Sequence, residues 1–476
     1  MMKKQKYAII NDVRGSTLPV ALAFLGIFLV LTTALLSYVQ LEIHVSQRSI
    51  ADGQAFASAE AGIEYARWRL AHAPDDTTPS TNEYRDPQGG LVGTFEFTIS
   101  PRSTCSGSTR VVVKGHSADQ KRTRNIAITY GAPALTKYSY LTDSNVWFGG
   151  GELKGPVHAN GGIRMDSDDK SRITSAKQTY ICGAEHDCNP PITKPGVWGA
   201  GDGGAKGLWD FPTGKIDFDT IILRLPVFQQ QAEAANTYFE PSKALGYHAR
   251  MNENGTLNIF RVTEVKPKIW GYDGRTGWVE TAEGIKKEVL VRTVTIPEAN
   301  ACGEKSLFFF DDTLWVDGAT KRPVTVIGSA SIIINGGLTT PASGNEGKLG
   351  SIGIIAQNDI LIPLESADTL ELHAAIFAQK GHIFRNYYCS DERLNRYGYK
   401  CNKSYAPFIL RSTISRKGTM ISNQIPAFTW VDDSGKIISG YRGEEGDYDT
   451  RLIFTPPPFF PKQGDNRILT WEEVSE

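Results

Sequence analysis

The amino-acid sequence predicts an α+β protein with a long N-terminal transmembrane helix, a small antiparallel β-meander and a large mainly-β domain like a parallel β-solenoid. Three observations predict this. An apolar run continues into a helical pattern, β-branched segments separated by turns follow it, and pairs of short apolar strands recur later. With 476 residues, 47 Gly and 24 Pro, the chain is long enough for two or three domains and rich in turns.

The bulk composition indicates a folded chain and identifies no partner. Hydrophobic residues make up 40% and charged residues 22%, which does not match a disordered protein. The formal net charge is −1, so no global field attracts the chain to nucleic acid or anionic lipid. Such binding would need a local patch.

The run from Leu18 to Tyr38 contains no charged residue and has the length of a bilayer-spanning helix. The basic residues ahead of it are Lys3, Lys4, Lys6 and Arg14, against the one acid Asp12. Such a flank stays in the cytoplasm, so the sequence predicts a single-pass protein with its head outside the cytoplasm. A secretory signal would have a shorter apolar region, and a simple membrane anchor is the remaining alternative.

The helical pattern continues beyond the apolar run. A stripe recurs at steps of three and four residues through Phe56, Ala59, Ile63, Ala66 and Leu70. One helix is therefore expected from about residue 16 to 72, roughly 85 Å long at 1.5 Å per residue. Because that length greatly exceeds a bilayer, half of it must project into water or pack on a head domain.

The segment RGST before the apolar run, with AFASAEAGIEYA after it, resembles the N-terminus of PilX-type minor pilins of type IV filaments. The resemblance implies a basic leader peptide, residues 1–15, cut by a prepilin peptidase between Gly15 and Ser16, and N-methylation of the new terminus. It implies that the helix of residues 16–72 lies in the inner membrane before assembly, with a periplasmic head. The helix would then contact other pilins or pseudopilins in an extracellular filament.

One position departs from that family pattern. Major pilins commonly carry a glutamate four residues beyond the new N-terminus, where this chain has Val20. That glutamate is thought to neutralise the terminal amine of a neighbouring subunit. Because a buried unpaired charge is costly, its absence favours a minor or tip position over the filament shaft.

The segments after the helix predict the head. Residues 73–92 are rich in Pro, Asp, Thr and Gly and are interpreted as a linker or irregular loop. Segments 94–100, 110–117 and 123–130 predict three antiparallel strands, which form a pilin-like sheet over residues 92–131.

The remaining chain shows a weak internal repeat of strand, small residue, polar turn and strand. Its copies are GPVHANGGIRM (155–165), GIIAQNDILIP (353–363), AAIFAQKGHIF (374–384) and LRSTISRKGTM (410–420). Stacked coils of a parallel solenoid would bury such short strands together. We expect the first solenoid strands and a disulfide loop over residues 132–204. A mixed subdomain or insertion, with a helix near residues 227–238, is expected over residues 205–300. A β-solenoid-like domain is expected over residues 301–465. The stretches GPVHANGG, FDDTLWVDGA, VTVIGSASIIINGG, IGIIAQNDI and AAIFAQKG resemble the solenoid-type domains that follow PilX-like N-termini in large minor pilins.

Six cysteines include two pairs close in sequence, Cys182 with Cys188 and Cys389 with Cys401. Outside the cytoplasm such pairs favour disulfides, while Cys105 and Cys302 could pair or stay free. The alternative is that Cys182, His186 and Cys188 bind a metal, but a fourth ligand is missing. We therefore expect no metal and no cofactor.

Catalytic motifs were not found, so the sequence predicts no enzyme. Some parallel β-helix proteins cleave polysaccharides with paired carboxylates, but Asp311 and Asp312 are adjacent and would point to opposite faces of a strand. The acids Asp166, Asp168 and Asp169 are interpreted as a solvated turn, or at most a weak calcium site.

The stretch from 384 to 405 is the candidate ligand-binding loop. Its candidate contact residues are Arg385, Tyr387, Tyr388, Arg393, Arg396, Tyr397, Tyr399 and Lys400. Basic and aromatic groups together can hold single-stranded nucleic acid, and tyrosine-rich loops also recognise proteins or glycans. Simple packing of the tyrosines near a disulfide is the alternative.

Together these patterns predict a minor pilin or pseudopilin of a type IV pilus-like filament, with a β-rich head at or near the tip. Adhesion, DNA capture and priming of assembly all fit, as do type IV and type II secretion filaments. The alternative is a membrane-anchored glycan-binding protein, or a polysaccharide-active β-helix enzyme, that never enters a filament.

Overall fold

The computed structural model describes residues 17–103, 105–149, 152–168, 170–200, 206–222, 224–298, 304–341 and 350–475. The predictions on Gly15, Ser16, Asp169 and Cys302 lie outside these residues. The chain divides into two units. The helix unit contains residues up to 101, 109–129 and those from 470 onward, and the solenoid unit contains residues 102–108 and 130–469.

The helices are α1 (Thr17–His72), α2 (Phe218–Ile222), α3 (Leu225–Ala234) and α4 (Arg451–Phe454). Short 3-10 turns occupy Leu135–Lys137, Ala184–His186, Lys206–Leu208, Glu304–Ser306, Glu392–Tyr397 and Lys403–Tyr405.

The strands follow in chain order. They begin with β1 (Ser80–Arg85), β2 (Leu91–Ile99), β3 (Thr109–Ser117), β4 (Thr123–Gly131), β5 (Tyr140–Thr142), β6 (Val146–Phe148), β7 (Val157–Ala159), β8 (Ile163–Met165), β9 (Ile173–Ser175), β10 (Thr179–Cys182), β11 (Ile192–Pro195), β12 (Val197–Trp198) and β13 (Trp209–Asp210). They continue with β14 (Tyr238–Phe239), β15 (Tyr247–Met251), β16 (Thr256–Val265), β17 (Ile269–Tyr272), β18 (Trp278–Thr281), β19 (Ile285–Thr295), β20 (Leu307–Phe310), β21 (Leu314–Ala319), β22 (Val324–Gly328) and β23 (Ile332–Thr339). They end with β24 (Ile352–Ala356), β25 (Ile360–Leu361), β26 (Thr369–Leu372), β27 (Ala375–Ala378), β28 (Ile383–Phe384), β29 (Leu410–Lys417), β30 (Thr419–Ser422), β31 (Thr429–Val431), β32 (Ile437–Asp447) and β33 (Arg467–Glu473).

Helix α1 confirms the predicted single long helix. None of residues 17–50 is buried, and this half is long and apolar enough to cross a membrane. Buried positions begin at Ala51 and recur at helical spacing as far as Leu70. The apolar and amphipathic patterns therefore mark two halves of one helix.

The sheet of the helix unit has five strands in the order β1-β2-β3-β4-β33. The prediction of a linker over residues 73–92 is wrong where β1 pairs antiparallel with β2. Because β1 has the sequence STNEYR and alternates between half-buried and exposed positions, no apolar pattern marks it. The C-terminal strand β33 was also absent from the prediction.

Glycines allow α1 to lie directly on this sheet. A Cβ atom on Gly115 of β3 would lie 2.2 Å from the carbonyl oxygen of Ala55 and 2.3 Å from the nitrogen of Ala59. On the helix side, a Cβ atom on Gly62 would lie 2.5 Å from Val113. Small residues at these positions therefore set the closeness of helix and sheet.

The solenoid unit contains a ten-stranded sheet in the order β13-β9-β7-β5-β30-β27-β24-β22-β20-β14, called here the long sheet. All of its neighbouring strands are parallel. Chain order does not follow sheet order, because β5 pairs with β30 and Leu141 lies beside Ile421. The N-terminal coils thus continue the stack that the C-terminal coils begin.

A crossover joins the two ends of the long sheet. After β13 the chain passes through α2 and α3 and reaches β14 at the opposite end. Phe218, Leu225 and Phe228 of the crossover join one buried cluster with Phe309 and Phe377 of the sheet. The helix predicted near residues 227–238 is α3, and its function is to cover this face.

The second large sheet is mixed and carries the candidate site. It runs β19-β16-β15-β21-β23-β26-β29-β32-β31, with β25 and β28 attached beside β23. The steps from β15 to β32 are parallel, and antiparallel strands close both ends. Apolar side chains from both large sheets share one core, including Phe308, Val316, Ile354 and Ile414.

Candidate functional site

The candidate ligand-binding loop, residues 384–405, leaves the solenoid after β28. Its eight predicted contact residues separate into two groups. Arg385 and Tyr388 are completely buried, while Arg393, Arg396, Tyr397, Tyr399 and Lys400 are exposed and Tyr387 is half-buried. The prediction that Arg385 and Tyr388 contact a ligand at the surface is therefore wrong.

Arg385 instead ties the base of the loop to neighbouring backbone. Its guanidinium donates hydrogen bonds to the carbonyl oxygens of Leu364 (3.0 Å), Phe408 (2.7 Å) and Ile409 (3.3 Å). It also lies over the ring of Tyr388, 5.0 Å from the centroid. Burial lowers the pKa of Arg385 because the charged form loses water.

Tyr388 anchors the loop through a buried acid. Its hydroxyl donates to the carboxylate oxygens of Glu283 at 2.7 and 2.9 Å, and the N–H of Leu364 donates to Glu283 at 2.7 Å. Burial raises the pKa of Glu283, while these hydrogen bonds oppose the shift. Burial and the neighbouring Glu283 also raise the pKa of Tyr388. The interior half of the loop is therefore a structural network.

A disulfide between Cys389 and Cys401 closes the exposed half of the loop. Inside it, Asn395 accepts from the N–H of Cys401 at 2.7 Å and donates to its carbonyl oxygen at 3.0 Å. Tyr397 and Tyr399 are 66% and 39% exposed. The crosslink and this amide hold both tyrosines at the surface.

Three exposed cations of the loop, Arg393, Arg396 and Lys400, lie beside aromatic rings or acids. Arg396 lies over Tyr397 at 4.6 Å, and the Lys400 ammonium lies 5.4 Å from the ring centroid of Trp270. Arg393 forms an ion pair with Asp391 at 2.7 Å, and the hydrogen bonds from Arg393 lower the pKa of Asp391.

Four aromatic rings form a closed cycle beside the loop. We call these four rings, together with Tyr399, the aromatic cluster. Ring centroids are 5.8 Å apart for Tyr272–Trp278, 6.0 Å for Trp278–Tyr387, 6.1 Å for Tyr387–Trp430 and 5.9 Å for Trp430–Tyr272. Tyr399 adds a contact to Trp278 at 5.8 Å. All five pairs are edge-to-face, an arrangement worth about 0.5–1.5 kcal/mol per pair beyond area burial.

Backbone contacts place these rings. Tyr272 and Tyr387 exchange N–H to carbonyl hydrogen bonds, both 2.9 Å, and the Trp430 indole donates to the carbonyl oxygen of Arg385 at 2.9 Å. Asp273 shapes the turn between β17 and β18 by accepting from the N–H and hydroxyl of Thr276. Burial alone would raise the pKa of Asp273, but these and neighbouring hydrogen bonds lower it.

Sequence reasoning found the tyrosines of the loop and missed their partners. Trp270, Tyr272 and Trp278 come from β17 and β18, and Trp430 comes from β31. The segment IWGYDGRTGW could have been recognised as an aromatic hairpin with Asp-Gly and Thr-Gly turn residues. Its proximity to residues 387–399 depends on the solenoid, which brings distant segments together.

The other predicted sites are structural in this chain. Cys182 and Cys188 are joined in a disulfide and are not available as metal ligands, and His186 bonds the Tyr180 hydroxyl at 2.9 Å. Cys105 is also disulfide-bonded. Asp311 accepts from the Ser329 hydroxyl at 2.7 Å.

Asp312 and Asp166, two of the acids considered for catalysis or calcium binding, have separate partners. Asp312 accepts from the N–H of Ser242 at 2.8 Å, and Asp166 accepts from Arg164, Trp147 and the N–H of Ala200. Each carboxylate thus stabilises its own turn.

Comparisons with known proteins add little. No family model and no curated protein sequence matches the chain. Among solved structures, it is similar to the competence-associated pilin ComZ from Thermus thermophilus, with a TM-score of 0.28 and 11% identity, over 89% of this chain and 97% of that chain. A likeness at this level carries no argument about function, so the proposal below depends on the chain's own features.

Proposed function

We propose that this chain is a minor pilin or pseudopilin that displays its solenoid unit at or near the tip of a type IV pilus-like filament. Helix α1 carries the proposal. Its first half requires an apolar environment, and its second half packs against a small sheet. A membrane holds the first half before assembly, and helices of other pilins hold it afterwards.

The first half of α1 begins with a long uncharged and mainly apolar stretch. From Leu18 to Leu41 the chain has no charged residue, and 24 residues at 1.5 Å each span about 36 Å, which exceeds a bilayer's hydrocarbon core. The first charged residue of α1 is Glu42. This length and sharp polar limit support a membrane-spanning role.

Hydroxyl groups within this half are satisfied by the helix itself. Thr32, Thr33 and Ser37 donate to the carbonyl oxygens of Phe28, Leu29 and Thr33, each at 2.8 Å. Unsatisfied polar groups are costly in an apolar medium, so this arrangement suits lipid or a filament interior.

The second half explains why a plain anchor is the weaker proposal. The same helix continues as far as His72, and its buried Ala, Gly and Ser positions pack on β2 and β3. An anchor needs no such continuation. Val20 is exposed in α1 and carries no charge to pair with a neighbour's terminal amine, which supports a tip position.

The aromatic cluster and its exposed loop are the proposed display surface. Half-exposed rings with adjacent cations can stack on sugar rings or on nucleic-acid bases. We propose that it acts by binding and not by catalysis, in adhesion, DNA capture or assembly priming.

Intact-mass spectrometry tests the filament pathway. The chain is purified from membranes of its native host, or of cells that co-express a prepilin peptidase. We expect a mature chain that starts at Ser16 and is one methyl group heavier, and an uncut precursor for Gly15→Leu. The matched control Gly26→Leu should still be cut, because it lies beyond the predicted cleavage site.

An uncut wild-type chain, in cells whose peptidase processes a known prepilin, would reject this proposal and leave a β-rich protein on an ordinary anchor.

Tryptophan fluorescence tests the display surface. Trp278→Ala should weaken binding of the ligand at least about tenfold, as for a central aromatic residue of an interface, while Trp147→Ala, an exposed tryptophan outside the cluster, should not. Probes are a panel of neutral oligosaccharides and a single-stranded oligothymidine. DNA binding should weaken steeply with salt and glycan binding should not. Equal binding by both variants would reject the surface.

A further inference from the structure

Three cationic side chains line one cavity of the solenoid unit. The cavity has a volume of about 480 Å³, and its lining includes Arg102, Arg224 and Lys462 with Asp217 and Thr220. Among the described residues, none of these three cations forms an ion pair. Of the fifteen other arginines of the unit, eight form an ion pair with an acid in the described part of the chain.

Other interactions leave the three charges largely unneutralised. The Arg102 Nε–H donates to the carbonyl oxygen of Gly107 at 3.1 Å, which is an uncharged acceptor. Asp217 is the acid of the lining, and its carboxylate already accepts from the N–H and hydroxyl of Thr220. Three positive charges and one negative charge leave a net charge of +2 around the cavity.

The three cations come from distant parts of the chain. Arg102 lies beyond β2, Arg224 lies in the turn between α2 and α3, and Lys462 follows the Pro-rich segment after α4. The backbone of Lys462 is held by an antiparallel bridge to Ala134. Folding therefore assembles this charge, which is different from a solvated basic run in the sequence.

The charges also affect one another. Burial, and then repulsion from Arg102 and Arg224, lowers the pKa of Lys462 to about 8. Lys462 is half-buried while Arg102 and Arg224 are exposed, so desolvation and repulsion destabilise the Lys462 ammonium, and a bound anion would offset both effects. The cavity with a bound anion is therefore more stable than the cavity without one.

We propose that this cavity binds a phosphate group in its doubly charged form, either as inorganic phosphate or as a phosphate monoester. Arg102 and Arg224 supply forked N–H donors suited to phosphate oxygens, and Lys462 supplies a point charge. The net charge of +2 matches a dianion, whereas a phosphodiester carries one charge only. This site is separate from the aromatic cluster and does not depend on the filament proposal.

Titration calorimetry of the full chain in detergent tests the site. The probes are inorganic phosphate, glycerol 3-phosphate and dimethyl phosphate, all at millimolar concentration. We expect one of the two dianions to bind and dimethyl phosphate to bind at least about tenfold more weakly. Tighter binding of glycerol 3-phosphate would identify an ester as the ligand, and tighter binding of inorganic phosphate would identify the free ion.

Charge variants locate the binding. Arg224→Gln and Lys462→Gln should each reduce phosphate affinity about tenfold or more, the scale for losing one charged hydrogen bond. Arg442→Gln, which replaces an exposed arginine of β32 outside the cavity, should leave the affinity unchanged. Unchanged affinity in both cavity variants, or equal binding of dimethyl phosphate, would overturn the proposal.

A second readout uses the wild-type chain alone. Acetylation of Lys462, followed by mass spectrometry across pH, reports the free amine. Its midpoint should lie near pH 8 without phosphate and should move upward when phosphate binds, because the anion stabilises the ammonium. A midpoint that phosphate does not move would contradict the proposal, even if a variant fails to fold.

Discussion

Replacing Gly115 by alanine tests the close contact between α1 and its sheet. The new methyl group would lie 2.2 Å from the carbonyl oxygen of Ala55, 2.3 Å from the nitrogen of Ala59 and 2.8 Å from its Cα atom. All three atoms belong to the helix backbone, which cannot rotate away as a side chain can. The helix must therefore move outward.

The size of the effect follows from these distances. Ordinary contacts begin near 3.4 Å, so the closest pair must separate by about 1.2 Å. Overpacking of this kind typically costs about 1–3 kcal/mol. At about 1.4 kcal/mol per tenfold change, the helix unit should open about 5 to 150 times more often.

Hydrogen exchange with mass spectrometry measures this opening in peptides that cover residues 51–70 and 109–117. The matched control is Gly53→Ala, because a Cβ atom there meets nothing within 4 Å. That substitution should slow exchange, since alanine favours a helix by about 1 kcal/mol over glycine. Unchanged exchange in Gly115→Ala, or shifts of the same sign in both variants, would refute the packing argument.

Three further predictions concern the solenoid unit. Tyr388→Phe should lower the free energy of unfolding by about 1–3 kcal/mol, because it removes a hydroxyl donor from the buried Glu283. Denaturant titration measures this free energy, and an unchanged value would contradict the buried hydrogen-bond network. Replacing Cys389 and Cys401 by serine should speed proteolysis within residues 392–400, because a crosslink across a loop of this length stabilises the folded chain by about 3 kcal/mol. Equal proteolysis rates of the wild-type chain under reducing and oxidising conditions would contradict this prediction. Burial lowers the pKa of His158 to about 4, so between pH about 6.5 and about 4 the unfolded chain binds a proton that the folded chain does not. Stability should therefore fall as pH decreases through that range, and His158→Gln should flatten the dependence in urea titrations.

Much of the helix unit could be predicted because its signals are local. The apolar run and the stripe at helical spacing both belong to α1, and the alternating segments became β2, β3 and β4. The two missed strands lack such signals. β1 is polar throughout, and β33 joins the sheet from the far end of the chain, with the hydroxyl of Thr470 2.8 Å from that of Thr129.

The recurring strands predicted a solenoid, but they did not predict the order of the strands in its sheets. The copies at 155–165, 353–363 and 374–384 place β7, β24 and β27 in the long sheet, whereas the copy at 410–420 crosses from β29 into β30. Nothing in the repeats indicates that β5 pairs with β30. Likewise, composition alone could not show that Arg385 and Tyr388 point inward, since burial depends on segments far away in the sequence.

The pairing of β5 with β30 has a consequence for how the solenoid unit folds. The first coils emerge with one sheet edge exposed, and their neighbour across that edge, Met420, follows 280 residues after Tyr140. Synthesis from the N-terminus therefore produces an incomplete stack, which is completed only when almost the whole chain has been made. Non-local pairing of this kind folds slowly and leaves an edge open to aggregation. The solenoid unit of a chain truncated before β30 should thus fail to fold, since its early coils lack the neighbouring strand that completes their sheet.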